Sequence, residues 1–222
     1  MTHRAALLVL TDGRFPAGGH AHSGGAEAAV RAGRITGPAD LADFCRGRLH
    51  TTGTVAAALA AAAAAGHDPL ALDDAADART PSPALRRAAR RLGRQLMRAA
   101  RATWPSEALD ALAAARPRGA HQPVVLGATV RSAGLEPLDA ARSAAYESVS
   151  GPATAVVRLL GLDPFDATAV LAGLAAEIDE VSVRAEAHAR TDGPQGLPAA
   201  SAPLLDITAE QHAAWPVRLF AS

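Results

Sequence analysis

Apolar and polar positions separate most sharply between Pro83 and Ala102. Set out at about 100° per residue, Leu85, Ala88, Ala89, Leu92, Leu96, Ala99 and Ala100 share one face. Arg87, Arg90, Arg91, Arg94, Arg98 and Arg101 occupy the opposite one, and the pattern predicts an amphipathic helix. A second stripe, Leu171, Leu174, Ile178 and Val181, recurs at heptad-like spacing and predicts one helix over about Pro164–Ala189. Its apolar residues read as a core seam, with an oligomer interface as the alternative. Weaker patterns predict helices over Gly25–Ala32, Pro38–His50, Val55–Ala65, Glu107–Ala115, Pro123–Ser132 and Pro137–Ser148.

Proline supports this reading. Pro38, Pro69, Pro83, Pro152 and Pro164 each stand where a helix would start, at a position whose N–H would be unpaired in any case. Asp68, Ser82 and Asp163 precede three of them as N-caps. No segment alternates apolar and polar residues between turn signals, so no strand is predicted. The expected fold is all-α, a single-domain compact bundle of roughly eight to ten helices spanning residues 1–222. From Thr191 to Pro203, Pro, Gly, Ala and Ser dominate, and this stretch reads as a linker that is loosely held or ordered on binding.

Composition sharpens the picture. Hydrophobic residues make up 49% and aromatics only 3%, so the core must be built from Leu, Val and mainly Ala, which suits closely packed helices. The formal charge is zero, with 22 basic and 22 acidic residues, which removes the electrostatic case for nucleic-acid binding. Every basic residue is Arg, and the absence of Lys excludes a P-loop and Schiff-base chemistry. Cys45 is alone, cannot form an internal disulfide or a Cys-rich zinc site, and reads as a small buried hydrophobe. Ala5–Val9 is too short for the core of a secretory signal, and Val55–Ala65 falls far below the ~20 residues that span a bilayer. A cytoplasmic location without membrane contact is the expectation.

Candidate chemistry is sparse. His20 and His22 form an H-x-H pair in a Gly-rich loop, which could bind zinc or nickel but lacks a third ligand at recognisable spacing. A metal-dependent enzyme centred on that pair is one hypothesis. A loop with backbone-bonded imidazoles is the plainer one, its glycines permitting positive φ where the chain turns into the helix carrying Glu27. Ser23 matches no hydrolase elbow, and the loop fits neither phosphate-binding glycine motif. Between Asp77 and Glu107 there is no acidic residue, so the Arg face is either solvated or a docking surface for an acidic partner. Phe220, an aromatic in an aromatic-poor chain, stands in the tail 217–222. It is either a chance residue on a fraying end or, with Leu219 and Arg218, an anchor for a groove.

Five segments, in order along the whole chain, resemble the urease accessory protein UreF family. The first runs from Leu7 to Glu27 and contains Asp12, Pro16, the glycine turn, His22-Ser23 and Glu27. The others are Leu92-Gly93-Arg94-Gln95-Leu96, His121-Gln122-Pro123-Val124-Val125-Leu126-Gly127, Ala155 to Leu162, and Arg218-Leu219-Phe220-Ala221-Ser222. The sequence departs from the family pattern at Gly13, Ala26 and Gly161, and in Ala84-Leu85-Arg86-Arg87-Ala88-Ala89.

The resemblance implies an all-α chaperone of metallocentre assembly with no catalysis and no cofactor of its own. Such proteins dimerise, dock on UreD (also called UreH) and recruit the GTPase UreG, and the assembly inserts nickel into apo-urease. By position, Arg218, Leu219, Phe220 and Ser222 would form a tail that orders on UreD, and Arg158 would face UreG. Asp12, Pro16, His22, Ser23 and Glu27 would shape a partner-facing loop, and modulation of GTP hydrolysis by UreG is a further expectation. Beside this stands a helical adaptor unrelated to urease, docking an acidic partner on the Arg face of Pro83–Ala102.

Overall fold

A computed structural model describes residues 4–191 and 193–222, and the described residues hold helices and no strand. The first half contains α1 (Ala5–Thr11), α2 (Ala26–Arg31), α3 (Pro38–Arg48), α4 (Thr54–Ala65), α5 (Pro69–Ala78) and α6 (Pro83–Thr103). The second half contains α7 (Glu107–Ala115), α8 (Gln122–Ser132), α9 (Pro137–Leu160), α10 (Pro164–Gly173), α11 (Ala175–Thr191) and α12 (Pro203–Ala213). A π-helical turn, Leu49–Gly53, joins α3 to α4 without a break. The all-α expectation holds, with a few more helices than the patterns alone indicate.

The alanine-rich α4 is the hub. Ala57, Ala58, Ala60 and Ala61 are fully buried, and α8, α9 and α11 pack around them. Small side chains let these helices approach closely, so the core closes with few aromatics. Cys45 lies wholly inside this core, where burial pushes its thiol up to about 11. Caps mark several starts: the side chains of Asp68, Ser82, Ser106 and Asp163 each accept a first-turn N–H.

Two predicted boundaries are corrected. The stripe over 164–189 belongs to two helices, because the chain breaks at Leu174 after the weak helix former Gly173. The break lets α10 pack on α3 and α9 while α11 packs on α4 and α9. Leu174, Ile178 and Val181 are buried, so the seam is core.

The second correction is at Pro152, which does not start a helix but sits buried in the middle of α9. A mid-helix proline leaves the carbonyl four residues earlier without its N–H. Here that carbonyl belongs to Ser148, and Arg48 Nε donates to it at 2.9 Å. The same guanidinium donates through Nη1 to the Gly24 carbonyl at 2.6 Å, tying α9 to the glycine loop.

The patterns predict neither α1 nor α12, and of α5 they predict only the start, at Pro69 with Asp68 as its cap. The expected linker 191–203 includes Asp192, which lies outside the described residues, as do Met1, Thr2 and His3. From Gly193 to Ala202 the chain carries no helix, and Arg79 donates to the carbonyls of Gln195, Leu197 and Pro198 at 2.8–3.0 Å. Leu197 is buried there.

Candidate functional site

The loop that precedes α2 and the tail that follows α12 meet. Gly24 and Gly25 take φ of 59° and 92°, turning the chain so that α2 starts with Glu27 in its first turn. The tail returns beside this loop. Ala221 N–H donates to the Ala21 carbonyl at 2.8 Å, and Ser23 N–H donates to the Ser222 carbonyl at 2.6 Å. Ser23 Oγ donates to the same Ser222 oxygen at 2.7 Å, and His22 Nδ1 lies 2.7 Å from Ser222 Oγ.

Glu27 is the centre of this cluster. Its Oε1 accepts the Leu219 N–H at 2.8 Å, and its Oε2 accepts the Phe220 N–H at 3.1 Å. His212 Nε2 lies 2.8 Å from Oε2. Burial alone would raise the Glu27 carboxyl, but these contacts outweigh it and hold the group below its usual range. Charge-assisted bonds of this kind are about twice as strong as neutral ones. Phe220 is 5% exposed and joins the core, with the Arg158 guanidinium 5.0 Å from its ring centroid. Burial, with Arg91 and His20 nearby, lowers His22 to about 4 and keeps it neutral at ordinary pH.

Six of the residues singled out from the sequence thus come together: His22, Ser23, Glu27, Arg158, Phe220 and Ser222. Leu219 contributes its backbone while its side chain is 71% exposed, and Arg218 is exposed as well. Asp12 and Pro16 are not bonded to the tail. Asp12 pairs with Arg14 at 2.6 Å, which holds its carboxyl down at about 2, and Pro16 is exposed. His20 is exposed, and among the described residues no three His, Cys, Asp or Glu side chains gather to hold a metal ion. Sequence reasoning missed His212, Arg48 and Trp215. Trp215 stacks near His212 (centroids 4.8 Å apart) beneath the Arg31 guanidinium. No local pattern links His212 to Glu27 across 185 positions.

The Arg face of α6 is only partly solvated. Arg90 pairs with Asp73 and Asp77, Arg101 with Asp110, and Arg94 donates to the Arg118 carbonyl. Arg87, Arg91 and Arg98 are exposed. No helix among the described residues is long and apolar enough to cross a membrane.

The class defined here is an all-helical protein whose tail is clamped onto its own N-terminal loop by a buried carboxylate. The family model for UreF matches residues 35–175. The chain is 44% identical to the urease accessory protein UreF of Mycobacterium sp. (strain JLS), with both chains covered completely. It is 43% identical to that of Mycobacterium marinum, again over the full length of both. With the Mycobacterium tuberculosis H37Rv protein the identity is 42%, over 96% of this chain and 95% of the relative. The chain belongs to the UreF family of urease accessory proteins. The matched span 35–175 stops short of both sides of the cluster, whereas the full-length relatives cover the loop and the tail.

Proposed function

We propose that this chain is a non-catalytic scaffold of urease maturation. It bridges UreD (UreH) and the GTPase UreG while nickel, as cargo, is inserted into apo-urease. It works in the cytoplasm as a homodimer within that assembly, and it modulates GTP hydrolysis by UreG. The observation that carries this reading is the mounting of the tail. Backbone bonds to Glu27 and Ser23, with burial of Phe220, fix the chain path and leave Arg218 and Leu219 facing outward. A pre-ordered apolar and guanidinium pair reduces the entropy a partner must overcome to grip it.

Co-expression with UreD and UreG tests the reading. The full chain should co-purify with both, and deletion of residues 218–222 should abolish UreD capture while circular dichroism stays helical. A truncated chain that holds UreD as tightly as the full one would overturn the role of the tail. A full chain that captures neither protein would overturn the scaffold itself.

A further inference from the structure

Where α6 crosses the loop that leads into α8, a second feature is built with equal care. Gly93 has no side chain, and a Cβ there would stand 1.9 Å from the Ala120 carbonyl oxygen. The helix therefore lies directly on the backbone of the loop 116–120. Arg90 Nη1 donates to the Gly119 carbonyl at 2.7 Å, and Arg94 donates to that of Arg118. This contact stands Arg116 and Arg118 beside Arg87, Arg90, Arg91 and Arg94 around an open groove of about 760 Å³.

Two of those six cations are neutralised within the fold. Asp73, wholly buried, takes Arg90 Nη1 at 3.0 Å and Arg116 Nε at 2.7 Å, while Asp77 takes Arg90 Nη2 at 2.6 Å and Asp74 takes Arg116 Nη2 at 2.7 Å. Arg87, Arg91, Arg94 and Arg118 make no ion pair among the described residues. A chain with 22 residues of each sign thus concentrates unpaired positive charge in one concavity.

We infer that this groove is a docking site for an extended carboxylate-rich peptide segment of a partner protein. The groove's own Asp74–Arg116 and Asp77–Arg90 pairs show carboxylates already seated on its guanidinium groups. Its walls carry no aromatic side chain on which a base could stack, which disfavours single-stranded nucleic acid. Arg87 and Arg91 also border the recess beside the tail, whereas Arg90, Arg94, Arg116 and Arg118 line this groove alone; the inference does not rest on the scaffold reading.

The test uses the full chain and a fluorescently labelled Asp/Glu-rich peptide, with its Asn/Gln counterpart, inorganic phosphate and single-stranded RNA as competitors. The acidic peptide should bind, weaken as salt rises, and resist all three competitors. The double variant R91E/R118E should weaken it by on the order of tenfold or more, since two attractive contacts become repulsive. R184E, on α11, should leave binding unchanged. Neither Arg91 nor Arg118 makes a side-chain hydrogen bond among the described residues, so melting curves should match. Binding indifferent to R91E/R118E, an Asn/Gln peptide that binds equally, or displacement by phosphate or RNA would each overturn the inference.

Discussion

Glu27→Gln isolates what clamps the tail. The two tail amides use different oxygens of the carboxylate, Leu219 N–H on Oε1 at 2.8 Å and Phe220 N–H on Oε2 at 3.1 Å. Glutamine keeps the shape but offers a single acceptor, so one tail N–H must face an NH2 group. That loses a hydrogen bond to a charged group, about 1.5–3 kcal/mol, and leaves a buried donor opposed. Docking should weaken by about 3 kcal/mol, roughly two orders of magnitude in the equilibrium constant. Ordering a backbone residue costs about 1–2 kcal/mol, so a five-residue tail has little margin to absorb this. Amide hydrogen exchange reads the outcome directly. Phe220 and Ala221 should lose protection while Val124 and Val125, buried in α8, keep theirs. Unchanged protection at Phe220 would refute the clamp, and a parallel loss in α8 would show that Glu27 supports the whole fold instead.

Acid should loosen the same cluster. The unfolded chain protonates His22 below about 6.5 whereas the folded chain resists until about 4, so stability should fall across that window by about 3 kcal/mol. The depressed Glu27 carboxyl adds a further loss below its usual 4.5, and a melting temperature that is flat or rises from pH 6.5 to 4 would contradict both. Arg48→Met should destabilise by about 2 kcal/mol, and by much less in a Pro152→Ala background, where the restored N–H serves Ser148. Additive effects in that denaturant double-mutant cycle would refute the compensation. Gly93→Ala should lower the melting temperature by several degrees, because about 1–3 kcal/mol of overpacking against Ala120 exceeds the roughly 1 kcal/mol gain in helix propensity. A rise would place propensity above packing.

Local chemistry accounts for what could be read without coordinates. Ser82 and Ser106 cap α6 and α7, and both helices fall within a residue of their predicted spans. Where a distant partner decides, the reading fails. Pro152 obeys the rule that proline starts helices until Arg48, 100 positions before Ser148, supplies that carbonyl's missing donor. The stripe at 171–181 has the correct buried face, but periodicity cannot show that α10 and α11 meet different neighbours. Helix α12 escaped because Leu204 and Ile207 are left exposed, so no clean apolar stripe marks it. The loop and tail were visible as two separate motifs. Their meeting, and the place of His212 between them, is a matter of topology that no window of sequence contains.

The span between the two halves of the cluster has a temporal meaning. Ser222 is made 199 residues after Ser23. At about 5–20 residues per second, the N-terminal loop waits on the order of ten to forty seconds for the segment that closes it. Throughout that interval the bonds that His22, Ser23 and Glu27 make to Leu219, Phe220 and Ser222 are unmade. A nascent chain stalled before residue 218 keeps this recess open, and only synthesis of the segment 218–222 lets it close.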